Sequence, residues 1–233
     1  LTVEPETGSA FQAAISPDRK LLAAAAFLGD VEVWQMPGDN LLHRFAHRLS
    51  QSVAFSPNGT LLAAGSQEGV RIWDVETGAV VQTVQRKSAP IVRVVFAPDG
   101  KTLATGSAGG DVQVWNISDG RRLARFDNHT DQVSDVSFSP DGRTIASSSY
   151  DGTVRLWTVD GGEIKQFTHT DGMLAVAFAP DGSTLAAGSA DHQVLLWTIQ
   201  DYELLGMFTD YPEPIGAVTF APNSDMLATG AID

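Results

Sequence analysis

The phrase Phe-Ser-Pro-Asp-Gly, or a close variant of it, returns along this chain at a nearly fixed interval. Phe55, Phe96, Phe138, Phe178 and Phe220 each open a copy, and Ile15 opens a weaker one. Successive copies stand 40, 41, 42, 40 and 42 residues apart. All five tryptophans, Trp34, Trp73, Trp115, Trp157 and Trp197, keep the same beat. A period near 40 residues restricts the chain to one supersecondary unit used repeatedly, each copy burying its apolar surface against its neighbours.

The fourth copy shows the unit. VSDVSFS at 133–139 reads as a strand with Val136 and Phe138 on one face. Ser139-Pro140-Asp141-Gly142 suits a type I turn, because proline presets φ near its second position. TIASSS at 144–149 is a second strand. Asp151-Gly152 signals a tight hairpin, and TVRLWT at 153–158 is a β-rich third strand. EIKQF at 163–167, after another Gly-containing turn, is a more polar fourth strand. The unit is thus a four-stranded antiparallel sheet.

Across the copies the second strand reads LLAAAA, LLAAGS, TLATGS, TIASSS, TLAAGS and MLATGA. Neither face of it is consistently polar, so both faces need cover. Radial stacking supplies it: small residues fit where sheets converge, and tryptophan fills the wider gap outside. A β-propeller has this arrangement.

These residues resemble the WD40-repeat family over essentially the whole chain. The resemblance rests on the Phe-Ser-Pro-Asp-Gly turns, the Leu-Ala-Ser-Gly-Ser-like second strand, the turn aspartate and the Val-x-Ile/Leu-Trp third strand. The pair Trp-Asp itself occurs once, as Trp73-Asp74. TolB-like propellers share the Ser-Pro-Asp-Gly turn, but tryptophan in every complete third strand favours WD40. The resemblance implies an all-β, WD40-type propeller of four-stranded antiparallel blades. Five blades are complete and a sixth is partial, within one domain over 1–233. The repeats fall at about 10–45, 52–84, 91–126, 133–167, 173–208 and, in part, 215–233.

The family's structural signature is a tetrad of a histidine before the first strand, a serine or threonine on the second, the turn aspartate and the tryptophan. By position it maps onto His129, Ser149, Asp151 and Trp157, and onto His169, Ser189, Asp191 and Trp197. His47 serves the second unit, with Glu68 at the aspartate position, whereas Leu28 and Gly109 replace the aspartate in the first and third. A Ser-His-Asp set also suggests nucleophilic catalysis, which needs an exposed hydroxyl. Recurrence at blade spacing beside a tryptophan marks scaffolding instead. No catalytic residue, cofactor site or metal site is expected, and cysteine chemistry is excluded because the chain has no cysteine.

The implied function is a non-catalytic scaffold that binds a protein or peptide on one propeller face. That face carries the loops before each first strand and the turns between second and third strands. By position it comprises Phe27, Gln67, Arg48, Lys87, Asp131, Tyr150, Asp171 and Glu213, with Ala108 and Ala190 at equivalent turn positions. Tyr150 and Phe27 are the aromatic anchors. The formal net charge of −13 argues against nucleic acid and for a basic or neutral partner segment. The short pairs Arg86-Lys87 and Arg121-Arg122 read as solvated loop charge, and the sequons at Asn58, Asn116 and Asn128 as unused. No stretch of about 18 apolar residues is present, so no membrane partner is expected and a soluble, cytoplasmic setting is the default. The alternatives are a sensor or autoinhibitory part of a larger signalling protein, such as a bacterial nucleotide-driven switch, and, more distantly, a propeller enzyme.

FAPNSDMLATGAID at 220–233 reaches the turn aspartate, and no third strand follows it. Leu1-Thr2-Val3 falls where an outer strand would finish a last blade. A longer parent with a six- or seven-bladed ring is the expectation, with self-association of this chain through open blade edges. Light scattering after size exclusion should find species larger than one chain; a monodisperse monomer with cooperative melting would overturn this.

Overall fold

Each repeat makes its first corner with a proline and a short side chain acting together. In the fourth, Ser139 Oγ donates to Asp141 Oδ1 at 2.6 Å, and the Arg143 amide donates to the same oxygen at 3.0 Å. The Thr144 amide returns a bond to Ser139 Oγ at 2.9 Å, and the Gly142 amide closes the turn on the Ser139 carbonyl at 2.9 Å. Ser16 with Asp18, and Ser56 with Asn58, repeat the device at 2.7 Å. The fourth turn residue is left-handed, which explains Gly59, Gly100, Gly142 and Gly182, at φ of 73°, 66°, 70° and 75°. Arg19 and Ser224 take the same conformation at 61° and 64°, at a cost of about 1–2 kcal/mol each.

The structure, a computed structural model, describes residues 10–26, 29–38, 40–85 and 89–232. The first repeat contributes β1 (Ala10–Ile15), β2 (Leu21–Ala26), β3 (Val31–Gln35) and β4 (Asn40–Phe45). The second contributes β5 (Ser52–Phe55), β6 (Leu61–Ser66), β7 (Gly69–Asp74) and β8 (Val80–Gln85). The third contributes β9 (Ile91–Phe96), β10 (Thr102–Ser107), β11 (Val112–Asn116) and β12 (Arg122–Phe126). The fourth contributes β13 (Val133–Phe138), β14 (Thr144–Ser149), β15 (Thr153–Thr158) and β16 (Glu163–Thr168). The fifth contributes β17 (Met173–Phe178), β18 (Thr184–Ser189), β19 (Val194–Thr198) and β20 (Leu204–Phe208), and β21 (Ile215–Phe220) and β22 (Leu227–Ala231) follow. The strands form five four-stranded sheets and one two-stranded sheet, each in chain order. These are the five complete blades and the partial one that the repeats lead one to expect. The chain divides into two compact units, Leu1–Ser107 with Val114–Leu123, and Ala108–Gln113 with Ala124–Asp233.

Within the first unit the period of two sends alternate residues to opposite layers. Leu62 and Ala64 of β6 join Ala23, Val33 and Trp73 in one buried cluster, whereas Ala63 joins Ile72, Ile91 and Leu103 in another. This explains why the second strands carry no polar face. In the second unit Val154, Leu156, Phe167, Leu185 and Trp197 form a further cluster.

Four of the third-strand tryptophans share one seat. Trp34, Trp73, Trp157 and Trp197 lie opposite Leu22, Leu62, Ile145 and Leu185 on the second strand. The last residue or so of the preceding outer strand supplies a ring. Phe45 stacks on Trp73 with centroids 4.7 Å apart, Phe126 on Trp157 at 4.8 Å and Phe167 on Trp197 at 4.6 Å. Such stacking adds about 0.5–1.5 kcal/mol to the burial itself.

The first strand of each blade is a sheet edge, and its amides still need partners. Neighbouring blades supply them. The Val53 amide donates to Gln12 Oε1 at 3.0 Å and the Val94 amide to Ser52 Oγ at 3.0 Å. In the second unit the Val176 amide donates to Asp135 Oδ2 at 3.2 Å, and Ser134 Oγ donates to the Met173 carbonyl at 2.5 Å. Close approach has a steric consequence at Gly188, where an added Cβ would sit 2.5 Å from the Ile215 carbonyl oxygen.

Trp157 is 2% exposed and is both stacked and hydrogen-bonded. Trp157→Ala should therefore cost about 3–5 kcal/mol, read from urea unfolding. An unchanged midpoint would show that the blade core does not depend on it.

Candidate functional site

Trp157 offers one polar atom, an N–H that can only donate. It donates to Ser147 Oγ at 2.9 Å. The Ser147 hydroxyl hydrogen is then free to go to His129 Nε2, 2.8 Å away. With Nε2 accepting, the ring proton sits on Nδ1, which faces Asp151 Oδ2 at 2.9 Å and Thr153 Oγ1 at 3.0 Å. Asp151 also accepts from the Thr130 amide at 3.0 Å, the Thr153 amide at 2.9 Å and the Thr153 hydroxyl at 2.7 Å. Every link donates in one direction, from indole to carboxylate.

This corrects the expectation for the serine. Ser147, not Ser149, joins the histidine to the tryptophan. Ser149 Oγ donates to the Asp131 carbonyl at 3.1 Å and accepts from the Asp151 amide at 3.1 Å, shaping the hairpin instead. The reason is register. Trp157 lies opposite Ile145, so its ring reaches two positions along β14, to Ser147. Ser149 lies four positions away, about 13 Å along the strand. The readable signal was a hydroxyl ten residues before the tryptophan, and the third blade repeats it: Trp115 Nε1 donates to Thr105 Oγ1 at 3.1 Å.

Charge in this network follows burial. Burial pushes the His129 imidazole below its usual pKa, and the nearby Asp151 only partly opposes this. Burial works to raise the Asp151 carboxyl, but hydrogen bonds from Thr153 and Thr130 and the proximity of His129 outweigh it, so its pKa is lowered. Near neutral pH the pair is a neutral imidazole donating to a carboxylate. Ser147 is fully buried and its oxygen is occupied by the indole, so the Ser-His-Asp order presents no nucleophile to a substrate.

The fifth blade departs from its expected set. His169 turns Nε2 to Asp191, at 2.9 and 3.0 Å from its two oxygens. Ser189 Oγ donates to Asp191 Oδ1 and makes no link from His169 to Trp197. Ala187 stands where Ser147 stands in the fourth blade, so no hydroxyl is available to claim Nε2. Here too Ser189 is displaced from its expected place. In the second blade His47 is 3% exposed and meets Trp73 edge-on at 5.6 Å. Ala64 replaces the serine, Glu68 points to Arg71, and among the described residues no side chain takes the place of Ser147 or Asp151 at the His47 ring.

The expected partner face is placed as follows. Phe27, Leu28 and Lys87 lie outside the described residues. In the first unit Arg48 and Gln67 are exposed. In the second, Tyr150 is 49% exposed at the turn between β14 and β15. Its amide donates to the Gln132 carbonyl at 3.1 Å, and its ring lies against Gly172, where an added Cβ would be 3.3 Å from Cδ1. Tyr150 is thus held between the loops of Asp131 and Asp171, both exposed, and Glu213 is exposed on the next such loop. Asp131 and Asp171 each cap the following amide, at 2.6 and 2.7 Å. Among the described residues no group of three or more histidines and carboxylates is placed to hold a metal ion, and no helix is long and apolar enough to cross a membrane.

A family model described as the IFT122 first beta-propeller matches residues 49–233. Among curated proteins, small ribosomal subunit protein RACK1z of Arabidopsis thaliana is 32% identical over 85 residues, 36% of this chain and 26% of that protein. WD repeat-containing protein SL1-17 of Schistosoma mansoni is 34% identical over 113 residues, 46% of this chain and 36% of that protein. Telomerase protein component 1 of Rattus norvegicus is 31% identical over 100 residues, 42% of this chain and 4% of that protein. The alignments therefore span about a third or less of the relatives' own lengths.

The lowered pKa values of His47 and His129 give stability a pH dependence of definite sign. Their contribution is complete above the unfolded-state value near 6.5 and is lost as pH falls below it, because the unfolded chain then binds protons that the folded chain refuses. The urea midpoint should fall between pH 7 and pH 5, and His47→Phe should flatten part of that slope. A flat profile would contradict the burial of neutral imidazoles.

Proposed function

We propose, from the premise that the chain belongs to the WD40-repeat β-propeller family, that it is a non-catalytic scaffold for a protein or peptide partner, with Tyr150 as an anchor. The family's general role supports the coarse reading. Tyr150 carries the finer one. A large side chain half exposed at a turn, yet fixed by backbone bonds on one side and Gly172 on the other, presents a rigid aromatic surface that loses little freedom on binding.

The neighbouring loops define the chemistry of the partner. Asp127, Asp131, Asp171, Asp210 and Glu213 are exposed in the second unit on the segments that lead into β13, β17 and β21. Asp131 and Asp171, on the two loops that flank the aromatic anchor, favour a basic segment and disfavour a phosphate backbone. Two of the similar proteins are named for the small ribosomal subunit and for telomerase, both multi-component assemblies, in keeping with a platform role.

Catalysis is not part of this proposal. Among the described residues, the Ser-His-Asp constellation in full hydrogen-bond contact is buried beside Trp157, and its hydroxyl is committed.

An array of basic, neutral and acidic peptides should show selection of basic ones that weakens with salt. For a selected peptide, Tyr150→Ala should weaken binding by about thirty-fold, the effect of a hot spot worth about 2 kcal/mol. Asp131→Lys with Asp171→Lys should reverse the charge preference. Equal binding by wild type and Tyr150→Ala would remove Tyr150 as the anchor.

A further inference from the structure

The first unit holds a cleft at the end of its blades away from Gln67. It measures about 560 Å³ and is bounded by Leu21 at the start of β2, Leu42 and His43 of β4, the turn Asn58-Gly59-Thr60, and Asp74-Val75-Glu76 after β7. The volume lies within the range of small-ligand sites, roughly 300–1,000 Å³. Leu21, Leu42 and Val75 supply apolar surface, and Asp74 and Glu76 bring two carboxylates to it. Among the described residues that line it there is no lysine or arginine.

The local turn explains only part of Asp74. Its Oδ1 accepts from the Thr77 amide at 2.8 Å and the Thr77 hydroxyl at 2.7 Å. In the third blade the uncharged Asn116 does the same work, with its Oδ1 accepting from the Ser118 amide at 2.9 Å and hydroxyl at 2.7 Å. Thr158 holds the equivalent turn with its hydroxyl, which accepts from the Gly162 amide at 2.9 Å. The turn thus requires a side-chain oxygen and not a charge. The Thr77 bonds also lower the Asp74 pKa, so the carboxylate persists well into acid. Asn58 Oδ1 is committed to Ser56 and to the amide and hydroxyl of Thr60. The remaining charge of the cleft is negative, in a chain already at −13.

We propose that this cleft binds a long basic side chain, lysine or arginine, presented by an extended segment of a partner protein. The methylene stem lies on Leu21, Leu42 and Val75, where its apolar surface leaves water. The cationic head reaches Asp74 and Glu76. His43 reports occupancy, because its ring lines the cleft and is held by stacking on Phe45 at 5.3 Å. The site lies in the first unit and is separate from the Tyr150 surface of the second, so the two stand or fall independently.

Proton NMR of the whole chain tests this. The His43 ring signals, assigned by their loss in His43→Gln, are followed during titration with Nα-acetyl-lysine amide and Nα-acetyl-arginine amide. At least one of the two should shift them saturably at low millimolar concentration, and added salt should weaken the effect. Nα-acetyl-norleucine amide, with the stem but no charge, should leave them in place. Glu76→Gln, at an exposed position, should weaken binding about two- to five-fold without altering the other histidine signals. Asp74→Asn keeps the turn oxygen and should weaken it further. The proposal fails if neither cation shifts His43, if norleucine amide acts equally, or if both variants bind as the wild type does.

Discussion

A sheet that is apolar on both faces cannot stand alone, and everything else in this protein follows from covering those faces. Strands β6 and β18 are buried along nearly their whole length, with alternate side chains serving different layers. The cover comes from the next repeat in the same unit, and the aromatic stack is its most specific element. A phenylalanine from the end of one outer strand lies on the tryptophan of the following third strand, at nearly the same separation in three places. That contact links one blade to the next, so the blade is a unit of sequence but not of stability.

Polar groups buried by this packing must be satisfied, and the blades do so to different degrees. The fourth builds a complete donor chain from Trp157 through Ser147 and His129 to Asp151. The third retains the tryptophan link through Thr105. The fifth lacks the hydroxyl, and its histidine turns the other nitrogen to the carboxylate. The second keeps only the buried ring, beside Trp73. A net contribution of about 1 kcal/mol per hydrogen bond explains this tolerance, since the apolar layers supply far more. In the fourth blade a constellation ordered like that of a hydrolase has its groups spent on one another.

Function is left to what projects from the scaffold. Turns between strands face water, and their ends need only small polar residues to form. A residue beyond that minimum stands out. Tyr150 is far larger than its hairpin requires, and Asp74 carries a charge that the equivalent Asn116 and Thr158 do without. Both proposed contacts rest on such surplus, one in each unit.

Much of the architecture could be read along the chain. The 40-residue period, the strand order within a blade and the left-handed turn residues are local properties, set by alternation and by the φ preferences of glycine and proline. Tyr150 was singled out by its position before a turn aspartate. Ser147 was not, because counting along a strand does not show how far an indole on the neighbouring strand reaches; lateral register chose it over Ser149. The missing serine beside His47 and the orientation of His169 likewise depend on which side chain the packed neighbour presents. The acidic cleft assembles side chains from two consecutive repeats, brought together only by the packing of one sheet on the next. Spacing therefore dictated the repeated blade, whereas burial, register and the meeting of separate repeats decided which polar groups are consumed inside and which remain for a partner.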